Sequence, residues 1–377
     1  MKKKFIVKLT VLLLPFVCLS VFTQVYIDAF SIYHPGIVRE TKFTNNQRFV
    51  KMKHILDSDG EYKSLIFASS RGAFLDPNLL CDKKGYNMGY SSGTLKEYYE
   101  NLQTLSGTKS MPEEVFITFD MASILSPPDV FRTGFLINYP VDRNLFAFYA
   151  KNIMQQSVIN TLETYFSEKS QEFTQRTILV TPVIVNHLTD GRYCAKDYIK
   201  EEIERDPEAQ INHRFFKLNP QSSWAKPNDG IRENADGNLS YLQKILSLCE
   251  KQNVKIRILS VPNTAKMFLE RAYEVYFDFL KELAKITQYD NFSGINQIST
   301  NNLNFYESSH PTEETATLVA DIIKRPDSVP NLSSLQAEGF GVTVDSGNVD
   351  EIVDILSSNC RKYIQELTPD HFINPEE

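Results

Sequence analysis

Two stretches of the sequence hold residues with the right chemistry for ester cleavage. Ser70 follows a largely apolar run at residues 64–68, and His310 stands three residues after Glu307 in the stretch ESSH. A serine hydroxyl becomes a nucleophile when a histidine accepts its proton and a carboxylate orients that histidine. Ser70, His310 and Glu307 are therefore the candidate catalytic residues. The alternative interpretation is an inert turn serine and a solvated loop histidine.

The elements around these residues predict an α/β fold with a mainly parallel sheet. The apolar run at 64–68 and the stretch EVFITFD at 114–120 are typical of short buried strands, and a later strand ends near Val261. Strands and helices alternate along the chain, as in parallel sheets. Sites in such sheets lie beyond the carboxyl ends of the strands. We therefore expect Ser70, Asp120 and the loop after Val261 to be neighbours.

Two helices of this fold have recognisable N-termini. In TLKEYYENLQTL, the spacing of Thr94 and Glu97 predicts a capping box, in which each side chain bonds the backbone amide of the other residue. Thr312 is the predicted cap of a helix that begins just after His310. The chain therefore leads from the candidate histidine directly into a helix.

The N-terminal residues predict a membrane anchor. Four lysines within MKKKFIVK precede an uncharged run from Leu9 to Ile27, about the length that crosses the hydrocarbon layer. We expect a cytoplasmic stub at 1–8, a single transmembrane anchor at 9–27 and an extracytoplasmic remainder. A cleaved signal peptide is the alternative.

The remainder divides into three predicted parts. A juxtamembrane segment with a first helix covers 28–59, the main domain covers 60–325 with an insertion at about 126–236, and a C-terminal extension with an amphipathic helix covers 326–377. The formal net charge is −7 and no basic stripe stands out, which argues against a nucleic-acid partner. We predict no metal site, because no C-x-x-C pair occurs among the four cysteines beyond the anchor: Cys81, Cys194, Cys249 and Cys360.

Three short stretches together resemble a known family. They are ASSR at 68–71, NMG at 87–89 and ESSH at 307–310. In them the chain is similar to the SGNH/GDSL hydrolase superfamily, and to its membrane-anchored branch that serves acylation of cell-surface polysaccharide and teichoic acid. The resemblance covers roughly residues 60–325. It implies a three-layer α/β sandwich in which Ser70 is the nucleophile, His310 the base and Glu307 the residue that orients the base, with no metal or organic cofactor.

The resemblance also implies where the oxyanion is bound. Gly89 matches the glycine whose amide helps form the oxyanion hole, whereas Asp120 stands where the family has an asparagine that donates to the oxyanion. An ionised aspartate there would repel the developing negative charge, so we expect Asn87 or the amides of Ser70 and Gly89 to supply donors instead. Arg71 is a candidate contact for an anionic polymer, with a surface ion pair as its alternative.

These features predict an extracytoplasmic serine acyl-ester hydrolase or O-acyltransferase, with O-acetyl groups on a cell-envelope polysaccharide as the expected substrate. The resemblance implies the membrane and a membrane-bound acyl donor protein as partners. One alternative is a weakly active or inactive SGNH-like accessory protein that binds polysaccharide in an acylation or assembly complex. Another is a plain secreted carboxylesterase, which would turn over small acetyl esters without any polymer or membrane partner.

Overall fold

The computed structural model describes residues 2–28, 32–34, 46–129, 138–155, 183–185, 189–195, 197–213, 216–219 and 227–372. The chain forms two compact units. The first comprises Met1–His54 and Phe131–Pro182, and the second comprises Ile55–Val130 and Val183–Glu377.

The strands are β1 (Ser64–Phe67), β2 (Gly85–Asn87), β3 (Glu114–Phe119), β4 (Val183–Val185), β5 (Tyr193–Ala195), β6 (Lys255–Ser260), β7 (Tyr289–Asn291) and β8 (Val342–Val344). The α-helices are α1 (Lys2–Ile27), α2 (Gln47–Asp57), α3 (Pro77–Leu80), α4 (Leu95–Leu105), α5 (Met121–Leu125), α6 (Leu145–Gln155), α7 (Asp197–Arg205), α8 (Pro207–Asn212), α9 (Asp229–Lys251), α10 (Ala265–Leu269), α11 (Tyr273–Ile286), α12 (Glu313–Lys324), α13 (Leu332–Ala337) and α14 (Val349–Glu366).

A six-stranded sheet in the order β2-β1-β3-β6-β7-β8 organises the second unit. The first five strands of this order run parallel, and β8 pairs antiparallel with β7. A separate antiparallel pair joins β4 to β5. The predicted α/β class with a mainly parallel sheet is therefore confirmed.

The central strands are buried because both of their faces carry apolar side chains. Every residue of β1 is buried, and so are the last five residues of β3. Such continuous apolar runs are typical of parallel strands covered on both faces. In register, Phe67 of β1 lies beside Ile117 of β3, so the two strands end at the same edge of the sheet.

Local hydrogen bonds fix the starts of α4 and α12. Thr94 and Glu97 form the predicted capping box at the start of α4, with each side chain bonded to the amide of the other residue. Thr312 caps α12 and accepts from the amide of Thr315. Both predicted helix starts are confirmed.

The sheet has a topological switch point at β1. Strand β2 lies on one side of β1, whereas β3 and all later strands of the sheet lie on the other. The connections after β1 and β3 therefore leave in opposite directions and open a crevice at the carboxyl ends of these strands. Ligands of parallel α/β sheets bind in such crevices.

The first unit contains α1, α6 and most of α2. In it the Phe49 ring stacks on the rings of Phe148 and Tyr139, with centroid separations of 4.7 and 5.3 Å. Among the described residues, no helix combines the length and the apolar character needed to cross a membrane. The predicted anchor at 9–27 has no support from the structure.

The predicted insertion at 126–236 is divided between the two units. Residues Phe131–Pro182 belong to the first unit, whereas the chain from Val183 onward belongs to the second. Strand β5 contacts the turn at 72–74 that follows β1, which places this part of the insertion in the second unit. The segment after Val183 therefore packs as part of the domain that carries the candidate site.

The C-terminal extension is part of the core of the second unit. Strand β8 pairs with β7, and α14 packs against α11. The ring of Phe340, just before β8, meets the ring of Phe292 edge-on, with 5.3 Å between centroids. A domain boundary at 325 would separate these paired elements.

Candidate active site

The turn after β1 gives its two adjacent serines different surroundings. Ser69 is buried and its hydroxyl donates to Asp120 Oδ2 at 2.7 Å. Ser70 is partly exposed, and no group in the described part of the chain hydrogen-bonds to its hydroxyl. The Ser69 hydroxyl therefore has a structural role, whereas the Ser70 hydroxyl is available to act as a nucleophile.

Asp120 is the polar centre of this turn. It directly follows β3, is fully buried, and accepts from Ser69, from Arg71 Nη1 at 3.1 Å and from the Ser123 amide at 2.9 Å. Burial alone would raise the pKa of Asp120, but the Arg71 charge and the hydrogen bonds from Ser69 and Ser123 outweigh it and hold that pKa below its ordinary value. Asp120 is therefore ionised at neutral pH, and its charge is balanced by Arg71.

Asn87 holds the turn at 72–75 that follows the candidate nucleophile. Its Nδ2 donates to the carbonyl oxygens of Gly72, Ala73 and Leu75 at 3.1, 3.2 and 2.8 Å. Its Oδ1 accepts from the Gly89 amide at 2.7 Å. Both of these predicted oxyanion donors are thus engaged within the fold, and the geometry does not offer either of them to a substrate.

Gly89 is a glycine because the chain passes very close to its neighbours there. A Cβ at this position would lie 2.8 Å from Ala73 Cβ and 2.7 Å from Asn87 Oδ1. The NMG stretch therefore packs directly on the turn after Ser70. This explains the glycine without assigning its amide to an oxyanion.

Glu307 and His310 form the acid–base pair that their spacing predicts. His310 Nδ1 contacts Glu307 Oε1, and the Ser309 hydroxyl donates to Glu307 at 2.6 Å. Burial alone would raise the pKa of Glu307, but the hydrogen bond and charge of His310 and the Ser309 contacts lower it to about 2. Because Nδ1 faces the carboxylate, Nε2 of His310 is the ring nitrogen left to act as a base. Among the described residues it has no hydrogen-bond partner.

Two contacts bring this pair to the edge of the sheet where Ser70 lies. The His310 ring packs on the ring of Phe74, with 5.9 Å between centroids, and Phe74 belongs to the short 3-10 helix directly after Arg71. The Thr264 hydroxyl, in the loop after β6, donates to the Ser308 carbonyl at 2.7 Å. The ESSH loop is therefore fixed beside the turn after β1.

A cavity of about 410 Å³ adjoins Phe74. It is lined in part by Phe74, Arg192, Glu313, Glu314 and Leu318. Phe74 thus contributes both to the wall of this cavity and to the contact with the His310 ring. In the described part of the chain, no group of three or more His, Cys, Asp or Glu side chains is arranged to hold a metal ion.

Sequence reasoning missed three residues of this site. Ser69 and Ser309 are short polar residues beside the ones singled out, and nothing in their spacing separates them from other turn serines. Arg271 lies two residues before α11, the helix that packs on α5 just after Asp120. A lone arginine before an amphipathic helix gives no signal in a single sequence.

Comparison with known proteins adds no further assignment. No protein-family model matches the chain, and no curated protein matches it.

Proposed function

We propose that this protein is a serine acyl-ester hydrolase or O-acyltransferase of the SGNH type, with a three-layer α/β domain. The observation that carries the proposal is the Glu307–His310 pair, held beside the turn that presents the Ser70 hydroxyl. The position of this turn at the switch point of a parallel sheet supports the same assignment.

The chemistry follows from the roles of the three side chains. Ser70 Oγ attacks the ester carbonyl carbon while His310 Nε2 takes its proton, and the Glu307 carboxylate stabilises the imidazolium that forms. His310 then returns the proton to the departing alkoxide, which leaves an acyl group on Ser70. Water completes a hydrolysis, and a sugar hydroxyl completes a transfer.

The substrate assignment is an acylated cell-envelope polysaccharide, with a membrane-bound acyl donor as partner and an extracytoplasmic location. Its support is the resemblance of the ASSR, NMG and ESSH stretches. The cavity beside Phe74 is lined by none of Ser70, Glu307 and His310, so it carries no part of this assignment.

A fluorophosphonate probe tests the proposal, because it reacts covalently with an activated serine. Wild-type protein should be labelled, Ser70→Ala should not be labelled, and His310→Ala should be labelled far more slowly. Ser328→Ala and His371→Ala are the matched controls, since both side chains are exposed and their hydrogen bonds lie within their own turns. A well-folded wild-type protein that resists labelling would refute the catalytic assignment.

One observation favours an alternative, a polysaccharide-binding accessory protein. The Gly89 amide donates to Asn87 Oδ1, and Asn87 Nδ2 donates to the carbonyls of the turn, so these groups are already engaged. This alternative predicts no labelling of Ser70 together with retained binding to acylated polysaccharide in a sedimentation assay. Labelling of Ser70 with turnover of an acetylated polymer would exclude it.

A further inference from the structure

The loop that carries the acid–base pair is held in shape by its own hydrogen bonds. The Tyr306 amide donates to the His310 carbonyl at 2.9 Å, and the Ser309 hydroxyl donates to Glu307 at 2.6 Å. The contact between Glu307 and His310 Nδ1 also lies within this loop. These bonds orient the imidazole relative to the carboxylate. They do not place either group relative to the strands of the sheet.

Thr264 supplies a link from this loop to the sheet. Its side chain is buried, and its hydroxyl donates at 2.7 Å to the carbonyl of Ser308, between the two members of the pair. The same hydroxyl accepts from the Met267 amide at 3.2 Å as the cap of α10, so its direction is fixed from both sides. Among the described residues, no other hydrogen bond joins residues 307–310 to a strand of the sheet or to a loop that follows a strand.

Thr264 is itself tied closely to the end of β6. The Val261 amide donates to the Phe119 carbonyl at 3.0 Å and so extends the pairing of β6 with β3 beyond the strand. The buried Asn263 side chain donates to the Val261 carbonyl at 3.0 Å, which fixes the turn just before Thr264. Strand β3 pairs in turn with β1, which leads into the turn of Ser70. Paired strands and hydrogen bonds therefore connect that turn to the ESSH loop.

We infer that Thr264 is a positioning residue, whose hydroxyl sets the place of the Glu307–His310 pair relative to the turn that carries Ser70. This inference rests on the proposed function. Nucleophile and base come from distant parts of the chain, and proton transfer requires them within hydrogen-bond reach of each other. A displacement of about 1 Å can cost about a hundredfold in rate. Loss of the Thr264 hydroxyl should therefore slow the reaction although Thr264 takes no proton itself.

The test measures fluorophosphonate labelling of the full chain as a function of probe concentration. In Thr264→Val, the labelling rate at saturating probe should fall at least about tenfold, and the probe concentration that gives half of this rate should change little. Thr264→Ser keeps the hydroxyl and should restore most of the wild-type rate. If Thr264→Val does not fold, as judged by circular dichroism, Thr264→Ala decides, because it removes the hydroxyl without adding a methyl group beside the Ser308 carbonyl.

Thr108→Val is the matched control. The Thr108 hydroxyl has the same two roles, since it donates to the Leu105 carbonyl at 2.6 Å and accepts from the Ser110 amide at 3.2 Å. It lies in the loop that leads into β3, whereas the candidate site lies beyond the other end of that strand. Its loss should leave the labelling rate close to that of the wild type. An equal slowing in both variants would overturn a specific role of Thr264.

NMR spectra of the histidine side chains separate a displaced base from a general loss of stability. The ring C–H signals of His310, identified by their absence in His310→Ala, should shift in Thr264→Val, because this ring packs on Phe74. They should stay in place in Thr108→Val. Slowed labelling of Thr264→Val with unchanged His310 signals would contradict the inference, since the base would not have moved.

The outcomes distinguish this inference from the proposed function. If wild-type protein is labelled at Ser70 and a folded Thr264→Val protein is labelled equally fast, the role of Thr264 is overturned while the serine hydrolase assignment stands. If wild-type protein is not labelled at all, the proposed function fails, and the role of Thr264 in catalysis fails with it. Slowed labelling that Thr264→Ser restores, together with shifted His310 signals, supports both.

Discussion

Asn87 offers a sharp test of how the turn after Ser70 is stabilised. The side chain is fully buried, its Nδ2 faces the carbonyls of the turn at 72–75, and its Oδ1 accepts from Gly89. Asn87→Asp keeps the shape of the side chain and the acceptor for Gly89. It replaces the two-proton donor by an oxygen that faces carbonyl oxygens. Asn87→Ala removes both functions.

The expected loss for the alanine variant can be estimated from the groups left without partners. An amide nitrogen carries two protons, so it fully satisfies two of the three carbonyls at most. With the Gly89 amide, three buried groups lose their partner. At the lower bound of about 1 kcal/mol for each, the free energy of unfolding falls by about 3 kcal/mol.

The aspartate variant should be destabilised at least as much at neutral pH, and its stability should depend on pH. Burial against carbonyl oxygens raises the pKa of the new carboxyl in the folded state. A raised folded-state pKa contributes stability at low pH that is lost as the pH rises, so Asn87→Asp should weaken relative to the alanine variant as the pH rises above about 4, the ordinary pKa of aspartate.

Urea unfolding followed by circular dichroism measures these differences. Asn301→Asp is the matched control, because the exposed Asn301 side chain is an acceptor for the Leu303 amide, a role that a carboxylate keeps. Its urea midpoint should remain close to that of the wild type. A wild-type midpoint for Asn87→Asp at neutral pH would contradict the assignment of Nδ2 as the donor to the turn.

Three further outcomes follow from individual contacts. Because the pKa of Glu307 falls from 4.5 to about 2 on folding, its contact with His310 stabilises the fold above about pH 4.5 and is lost as the pH falls through 2. The free energy of unfolding, measured with urea, should therefore fall less on acidification in Glu307→Gln than in the wild type, with a difference of about 3 kcal/mol at most. An equal fall in both proteins would argue against the pair. Gly89→Ala should lower the melting temperature, because its Cβ would overlap Ala73, and a fully stable variant would show that the chain can separate there. Thr94→Ala should cost about 1 kcal/mol in urea unfolding through loss of the helix cap, and no measurable loss would argue against the capping box.

Local features of the site were predictable from the sequence. The apolar run of β1, the cap at Thr94 and the spacing of Glu307 and His310 each depend on residues within a few positions of one another. Such patterns can be read from the sequence because they depend on side-chain periodicity and on contacts between residues close in the chain. The structure contains each of them as the sequence indicates.

The surroundings of Asp120 could not be predicted in the same way. Its contacts with Ser69 and Arg71 join residues about fifty positions apart, and only the pairing of β1 with β3 brings them together. Without those partners, the sequence predicts a carboxylate that repels the oxyanion. In the structure the Asp120 carboxylate is paired with Arg71, so it does not place an unbalanced negative charge beside the turn.

The antiparallel strand β8 has a practical consequence for producing the protein. A fragment that ends at 325 would leave β7 as an open edge and remove Phe340 from its contact with Phe292. Unpaired sheet edges beside exposed aromatic surface promote intermolecular strand addition. Such a fragment should therefore accumulate in inclusion bodies to a greater extent than a recombinant chain extended through Glu366, in which β8 covers the edge.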